Sequence, residues 1–182
     1  MFPAEGLAGT SRRLAAVEAF LDLLTRDYKF GDFVREILRA TMKAVPSEAG
    51  SILELDWKNE SLFFRAVEGQ SADRVNSFVI PFGQGIVGHV AESRQPMVVN
   101  DMAENRVHLK SIQDAVGFPT RNLVAVPIVI RGKVFGVLEL LNRVGESDYS
   151  PDDIELLQAL CEHAGKAIEV RLMLAWALRS AA

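Results

Sequence analysis

The glycine-rich segment from Gly83 to Gly88 is the first part of the chain whose residue types and spacing suggest chemistry. It reads Gly-Gln-Gly-Ile-Val-Gly, a G-x-G-x-x-G pattern. In dinucleotide-binding proteins such glycines let the backbone approach a pyrophosphate, and an acidic residue follows about 20 positions later at the end of the next strand. Here the predicted helix ends near Ser93, and the next acid at a strand end, Asp101, comes too early. The pattern therefore predicts a tight turn into a short helix rather than a dinucleotide site.

A single acidic residue, Glu139, interrupts the apolar strand predicted over residues 134–141. An ionised carboxylate inside a sheet needs hydrogen-bond partners or water. It could accept hydrogen bonds from a purine edge or a ligand amine in a pocket. It could equally face water near a sheet edge or pair with a neighbouring arginine. Both interpretations stay open at the level of sequence.

The histidines and the cysteine give no pattern of a metal or catalytic site. His89, His108 and His163 lie far apart, without H-x-x-x-H spacing or a nearby cysteine, so we predict no metal site. Cys161 is the only cysteine, which excludes an internal disulfide and fits a reducing compartment. It falls on the apolar stripe of the last predicted helix, where a cysteine usually packs as a small hydrophobic residue. We predict no catalytic residue.

Length and composition bound the class of protein. With 182 residues the chain fits one domain plus extensions. A net charge of −4 argues against a nucleic-acid partner, which a basic face usually binds. No stretch approaches the roughly 18 apolar residues of a membrane span, and the N-terminus lacks a signal-peptide core. We expect a cytoplasmic protein with neither nucleic acid nor membrane as a partner.

The elements that must position these residues begin with two helices. Residues 1–10 are expected to be flexible, and residues 11–29 to form a helix for dimerisation or signalling. The apolar residues of that helix alternate at intervals of three and four, a narrow seam typical of coiled coils. They are Leu14, Val17, Leu21, Leu24 and Tyr28. A second amphipathic helix is predicted over 30–44, and it ends before Pro46.

Six strands and a connecting helix are predicted next. The strands cover residues 50–57, 61–68, 76–80, a short segment ending at Asn100 and Asp101, and then 123–130 and 134–141. Residues 103–116 read as a helix. The last two strands are so apolar that both faces of the sheet must be covered. We expect the long helices on one face and residues 101–119 on the other.

The last helix has a clear start and an unusual end. Ser150 is the predicted N-cap, Pro151 presets the first turn, and the following aspartates oppose the helix dipole. Residues 172–178 are apolar on every side, which a small sheet cannot cover. We predict that residues 171–182 form an extension of the helix, which the N-terminal helix and a second subunit cover in a homodimeric bundle. A membrane-surface role would require a basic face that is missing.

Several ordered segments between residues 30 and 170 resemble a GAF domain, a family of small-molecule sensor modules. Besides the glycine turn, residues 123–128 are similar to the family's "sllavPi" strand. The hairpin at 131–133 and residues 134–139 are similar to its "g.viGvl.l" strand, and residues 149–157 to its "fs.ed..ll" helix start. The resemblance implies an α+β fold, an α/β/α sandwich with a central antiparallel six-stranded sheet. The N- and C-terminal helices would lie on one face and a lid-covered pocket on the other.

GAF domains that bind cyclic nucleotides often carry an Asn-Lys pair, a Phe and an Asp-Glu pair in that order. This chain has Asn142-Arg143, Tyr149 and Asp153-Ile154, a partial match. The resemblance implies a salt bridge between Arg143 and Asp153 that supports the pocket from outside. Alternatively, Asp153 is simply a helix-start carboxylate and Arg143 a solvated strand end.

The resemblance also implies which residues surround a ligand. Asp101, Asn105 and His108 lie in or just before the lid helix, and Asp101 could instead cap it. Asn105 and His108 share a helix face. Ser51 and Asn122 could add polar contacts beside Glu139. Apolar walls, unless they are plain core, are expected from Phe78, Ile80, Ile86, Val87 and Val124.

These expectations favour a non-catalytic sensor that binds a small molecule, with a slight preference for a purine cyclic nucleotide. The dimer bundle would then relay the state to a downstream signalling protein. A GAF domain that serves only as a dimerisation scaffold is the alternative. The free methionine sulfoxide reductases share this fold, but their chemistry uses a thiolate nucleophile and a resolving thiol, which Cys161 alone cannot supply.

Overall fold

The computed structural model of the protein describes residues 4–70, 72–75, 77–102 and 117–180. The predicted helix at 103–116, with Asn105 and His108, lies outside the described residues. Five helices are described: α1 Ala4–Leu24, α2 Phe30–Ala44, α3 Ala72–Val75, α4 Gly85–Ser93 and α5 Pro151–Ser180. Six strands are described: β1 Ser47–Asp56, β2 Ser61–Glu68, β3 Val79–Pro81, β4 Met97–Val99, β5 Leu123–Ile130 and β6 Lys133–Arg143.

The strands form one six-stranded sheet in the order β3-β2-β1-β6-β5-β4, and every neighbouring pair is antiparallel. This confirms the α+β fold and the six-stranded antiparallel sheet. The β5–β6 hairpin turns at Arg131 and Gly132, whose φ angles are +49° and +75°. Two central residues with positive φ match the right-handed twist of the strands that they join.

Alternation along the strands divides the core between two faces of the sheet. In β6, Leu138 and Leu140 point to one side, and Val137 points to the other. We call the first side the helix face, because α1, α2 and α5 cover it, and the second side the α4 face. Each face has its own cluster of buried apolar side chains.

The helix face is the larger cluster, and long amphipathic helices close it. Phe33 and Ile37 of α2 and Leu157 and Ile168 of α5 are completely buried there. The axis of α5 runs close to the sheet at Gly165, where a Cβ atom would lie 2.5 Å from the carbonyl oxygen of Val129. This close approach leaves no room for a side chain, so glycine is required where α5 crosses β5.

The start of α5 is capped as predicted. The amide of Asp153 donates to Ser150 Oγ at 3.1 Å, and the amide of Ser150 donates to Asp153 Oδ2 at 3.3 Å. This reciprocal pair satisfies backbone groups that the first turn of a helix leaves open. It also holds the Asp153 carboxylate at the N-terminus of α5, where the helix dipole favours negative charge.

The N-terminal helix differs from its predicted bounds. It begins at Ala4 rather than near residue 11, and the segment before residue 11 combines alanine, glutamate and leucine, which favour helix, with two glycines, which do not. It ends at Leu24 rather than continuing to 29, with Thr25 Oγ1 donating to Asp22 O at 2.8 Å. None of the described helices is long and apolar enough to cross a membrane.

Candidate ligand-binding site

The glycine-rich segment builds the turn that leads into α4. Gly83 and Gly85 have φ angles of +75° and +63°, which side chains rarely tolerate. At Gly88 a Cβ atom would lie 2.8 Å from the carbonyl oxygen of Pro81, so this glycine lets α4 pack against the end of β3. The amide of Gly83 donates to the Gly88 carbonyl at 3.2 Å and is therefore used within the turn. These roles confirm the structural interpretation of the pattern.

The apolar side of helix α4 packs against one face of the sheet. Ile86 and Val87, both predicted ligand neighbours, are buried there together with Val90 and Ala91. They share one buried cluster with residues from all six strands. Those buried strand residues are Leu53, Leu55, Leu62, Ile80, Val99, Leu123, Ala125, Val134 and Val137.

Glu139 stands on this α4 face, and one hydrogen bond joins it to another described residue. Its side chain is 9% exposed, and its Oε1 accepts from the Ser51 hydroxyl at 2.7 Å. Burial raises the pKa of the Glu139 carboxyl, and the Ser51 hydrogen bond opposes that rise only in part. Two predicted site residues are thus brought together as a buried pair.

The strand register sets the neighbours of this carboxylate on the α4 face. Ser51 of β1 and Ala125 of β5 are the cross-strand neighbours of Glu139, and Met97 of β4 follows Ala125 in the same row. The row on one side pairs Leu53 with Val137, and the row on the other pairs Leu141 with Leu123. Small side chains flank Glu139 across the strands, while the adjacent rows contain larger ones beside Ala49. We call this part of the sheet surface, low by residue size, the depression.

The predicted salt bridge between Arg143 and Asp153 is present and buried. Arg143 Nε and Nη2 donate to the two Asp153 carboxylate oxygens at 2.9 and 3.3 Å. Nη1 of Arg143 also donates to the carbonyl oxygens of Val144 at 2.6 Å and Pro46 at 3.2 Å. This bidentate pair joins the end of β6 to the start of α5. It supports the strand ends and does not line the depression at Glu139.

Asn122 is buried but already bonded within the fold. Its Nδ2 donates to the Ser147 carbonyl at 2.5 Å, and its Oδ1 accepts from the amide of Arg143 at 2.9 Å. These bonds hold the loop between β6 and α5. A ligand contact by Asn122 would have to replace one of them, so its predicted role in binding stays a prediction.

The side chain of Asn142 also connects strand ends through hydrogen bonds. It has a φ angle of +58°, a conformation that asparagine tolerates better than most residues. Its side chain accepts from the Arg121 amide at 2.7 Å and donates to Glu48 Oε2 at 2.8 Å and the Pro119 carbonyl at 2.9 Å. The start of β1, the end of β6 and the segment before β5 are thereby connected.

Tyr149 uses its hydroxyl where the related motif has phenylalanine. Its ring is buried in the cluster of the helix face, and its hydroxyl lies 2.9 Å from Ser47 Oγ. The side chain of Asn100 bonds to the Tyr149 backbone on both sides, at 2.9 and 3.3 Å. Burial raises the pKa of Tyr149, so the hydroxyl keeps its proton and this bond.

The remaining predicted site residues do not join Glu139. Val124 is fully buried on the helix face, on the other side of the sheet. Phe78 is half-buried between α3 and β3, and Asp101 is exposed beside the buried Met102. In the described part of the chain, no group of three or more His, Cys, Asp or Glu side chains could hold a metal ion.

Ala125 is the site residue that sequence reasoning missed. Counting back from the β5–β6 turn would place Val124 opposite Glu139. A bulge between Ile128 and Val129 shifts the register by one residue, so Ala125 stands there instead. A one-residue shift moves side chains to the other face of a sheet. The extra residue is Phe135 of β6, and the lone glycine beside it, Gly136, is the sequence signal that could have indicated a bulge.

Comparison with known proteins identifies the family of the chain. Residues 30–169 match the model of the GAF domain. The chain is 22% identical over 142 residues to a probable 3′,5′-cyclic phosphodiesterase, pde-5, of Caenorhabditis elegans, covering 73% of this chain and 19% of that protein. It is 30% identical over 93 residues to the cone cGMP-specific 3′,5′-cyclic phosphodiesterase subunit alpha′ of Mus musculus, covering 51% of this chain and 11% of that protein. The chain therefore spans about a fifth or less of the length of these relatives.

Solved structures share the fold at low identity. The GAF domain of a phosphoenolpyruvate-protein phosphotransferase from Coxiella burnetii superposes with a TM-score of 0.76 at 18% identity, covering 91% of this chain and 98% of that one. The free methionine-R-sulfoxide reductase from Neisseria meningitidis superposes with a TM-score of 0.71 at 17% identity, covering 88% and 90%. The fold and the match over residues 30–169 agree, and this chain belongs to the GAF domain family.

Proposed function

We propose that this GAF domain is a non-catalytic sensor module that binds a small molecule on the α4 face, and that the ligand is a purine cyclic nucleotide. One observation carries the proposal: Glu139 is a buried carboxylate whose described hydrogen-bond partner is the single hydroxyl of Ser51. A carboxylate can accept several hydrogen bonds, and burying it with one leaves much of its lost hydration uncompensated. N–H donors of a bound ligand would supply the missing bonds.

A purine fits the two features that flank Glu139. Its N–H groups can donate to the carboxylate, and its planar ring can fill the depression between the larger residues of the adjacent rows. The relatives that are named as cyclic-nucleotide phosphodiesterases support this class of ligand. The partial motif of Asn142, Arg143, Tyr149 and Asp153 supports it as well, since its polar side chains brace the strand ends beside the depression.

The hydrogen bonds of Asn122, Asn142 and Arg143 would transmit the effect of a bound ligand from the site to α5. Asn142 connects Pro119 and Arg121 to the strand ends, and Asn122 connects the start of β5 to the loop before α5. Arg143 then connects β6 to the first turn of α5. A ligand that displaces β5 or β6 would therefore move the start of the longest helix. We propose that a downstream signalling protein reads this movement.

Cys161 supports a role without catalysis. The side chain is 2% exposed, and burial raises the pKa of its thiol, so at neutral pH it is a protonated, inaccessible group. A reductase that forms and resolves a thiol adduct needs an accessible thiolate and a second thiol. We therefore do not assign this chain the activity of the reductase whose fold it shares.

Isothermal titration calorimetry with cGMP and cAMP tests the proposed ligand. We expect the wild-type protein to bind one of them, and Glu139→Ala to weaken that binding by about tenfold or more, as expected for the loss of buried hydrogen bonds to a charged group. The matched control is Glu155→Ala, which removes an exposed carboxylate from α5. Equal binding by Glu139→Ala and wild type would move the site away from the α4 face.

A dimerisation scaffold without a ligand is the second candidate function. The exposed apolar residues of α1 and α5 favour it, since they suit an interface whether or not the domain binds a ligand. A wild-type protein that forms dimers but gives no heat with either nucleotide would support the scaffold.

A further inference from the structure

The carboxyl group of Glu139 has hydrogen-bonding capacity that the described part of the fold leaves unused. The Ser51 hydroxyl donates to Oε1 at 2.7 Å. A carboxylate accepts up to about four hydrogen bonds and donates none, whereas a protonated carboxyl group also donates one through its O–H. Because Ser51 donates to Oε1, a proton on this group is carried by Oε2. The protonation state of Glu139 therefore decides whether Oε2 accepts or donates a hydrogen bond.

The surroundings of Glu139 do not fix this protonation state. Its cross-strand neighbours Ser51 and Ala125 carry no charge, and Arg143, at the end of the same strand, is bonded to Asp153. Burial raises the pKa of the Glu139 carboxyl above its ordinary value of 4.5, and the Ser51 hydrogen bond opposes this rise. A ligand that donates to the carboxylate would lower this pKa, and a ligand that accepts the carboxyl proton in a hydrogen bond would raise it further.

Other titratable side chains belong to the elements around Glu139. Helix α4 carries His89, whose Nδ1 lies 2.8 Å from the carbonyl oxygen of Gly85, and the exposed Glu92. Tyr149 precedes α5, and burial, with a smaller effect of the Glu139 charge, raises the pKa of its hydroxyl, which therefore keeps its proton. Histidine is the residue type that changes charge near neutral pH. A test of Glu139 must therefore separate its proton from that of His89.

Guanine and adenine present different hydrogen-bonding patterns to a carboxyl group. The Watson–Crick edge of guanine has two adjacent donors, N1–H and the 2-amino group, which can pair with both oxygens of a carboxylate. The same edge of adenine has the 6-amino donor beside N1, which is an acceptor. An ionised Oε2 would set its lone pair against that of N1, whereas a protonated Oε2 would donate to N1 while Oε1 accepts from the amino group. Guanine thus matches the ionised group, and adenine matches the protonated one.

We infer that the protonation state of Glu139 selects the base of the ligand, so that the ionised carboxylate binds guanine and the protonated carboxyl group binds adenine. This inference rests on the proposed function, because it concerns the purine edge that meets Glu139 in that site. When Glu139 of the free protein holds a proton, guanine binding releases that proton to the buffer. When Glu139 of the free protein is ionised, adenine binding takes up one proton from the buffer. The two complexes therefore differ by one proton.

This difference sets the expected pH dependence of the two affinities. By proton linkage, the ratio of the association constant for cGMP to that for cAMP should rise by about tenfold for each pH unit, as long as each complex keeps its own protonation state. The prediction does not require the pKa of Glu139 in the free protein, because the free protein is common to both equilibria. Isothermal titration calorimetry of the wild-type protein with each nucleotide at pH 5.5, 6.5 and 7.5 measures the ratio.

Glu139→Gln assigns the pH dependence to this residue. The glutamine amide donates through Nε2 and accepts through Oε1 at every pH of the series, which is the pattern that adenine matches. We expect this variant to favour cAMP with a ratio that does not change with pH, although it retains His89. The matched control is Glu155→Gln, which removes an exposed carboxylate from α5 and should follow the wild type.

The outcomes distinguish this inference from the function on which it rests. A wild-type ratio that is the same at all three pH values would overturn selection by protonation and leave nucleotide binding in place. A Glu139→Gln variant that still favours cGMP, or that keeps the pH dependence of the wild type, would overturn it in the same way. If the wild-type protein bound neither nucleotide at any of the three pH values, both the inference and the proposed ligand would be wrong.

Discussion

The two faces of the sheet differ in what they bury. The helix face packs apolar side chains from α1, α2 and α5 against β5 and β6, and its buried polar groups bond to their own fold. Among the described residues the α4 face has the smaller buried cluster, to which the nine-residue helix α4 contributes, and it contains the Ser51–Glu139 pair in the middle of the sheet. Adjacent residues of one strand, Leu138 and Glu139, therefore serve different purposes. The helix face holds the domain together, and the α4 face gives up part of its packing for a polar group.

The largest expected effect on the free energy of unfolding comes from replacing Leu138, the residue before Glu139. Leu138→Ala removes a fully buried side chain from the helix face and should lower the free energy of unfolding by about 2–5 kcal/mol. Urea denaturation followed by circular dichroism measures the change. If the free energy of unfolding fell by no more than it does for an ordinary surface substitution, the helix face would not be the main source of stability.

Glu139→Gln keeps the shape of the side chain and the Ser51 partner but removes the charge. In the folded state the pKa of Glu139 is raised above its ordinary value of 4.5, so wild-type stability falls as the pH rises from that value through the folded pKa. The variant lacks this loss. We expect equal free energies of unfolding near pH 4 and a more stable variant at pH 7, measured by urea denaturation at both values. A variant that is less stable at pH 7 would contradict a poorly compensated carboxylate.

The Tyr149 hydroxyl on the helix face should contribute a smaller amount to the free energy of unfolding, and this contribution should not depend on pH. Tyr149→Phe removes the hydroxyl that lies 2.9 Å from Ser47 Oγ and should cost about 1 kcal/mol of stability. The difference in unfolding free energy should be the same at pH 6 and pH 8, because the raised pKa keeps the hydroxyl protonated throughout. A pH-dependent difference would show that the hydroxyl titrates and that the ring is less enclosed than described.

The last prediction concerns the reactivity of the Cys161 thiol and needs no substitution. We expect no effect of the reagent on the folded protein. The thiol lies on the helix face among apolar side chains. We expect no reaction with Ellman's reagent in the folded protein and one thiol per chain after unfolding in guanidinium. Rapid reaction in the native state would show that the helix face opens, and would remove the contrast with the α4 face.

The fold was largely predictable because its elements have strong local patterns. The apolar runs of β5 and β6 required cover on both faces, and the Ser150 cap fixed the start of α5. The Arg143–Asp153 pair followed from the family resemblance and is confirmed. The direction of α1 relative to α5 depends on contacts between residues more than 140 positions apart, which no local pattern encodes.

The site was less predictable because it depends on register. The bulge opposite Ile128 exchanges Val124 for Ala125 opposite Glu139, and although Gly136 in the β6 run is typical of a bulge, a lone glycine does not fix the register. Asn122 looked like a ligand contact by type and position, but its amide is bonded to the loop before α5. A polar residue near a pocket can equally serve the backbone, and sequence alone does not distinguish these roles.

An NMR titration of the isotope-labelled domain with cGMP tests the central claim most directly, namely that the α4 face binds the ligand. The account predicts that the amide signals of Ser51, Ala125 and Glu139 shift with added cGMP, while those of Gly31 and Asp32 at the start of α2 do not. Shifts confined to the helix face, or none at millimolar cGMP, would contradict it.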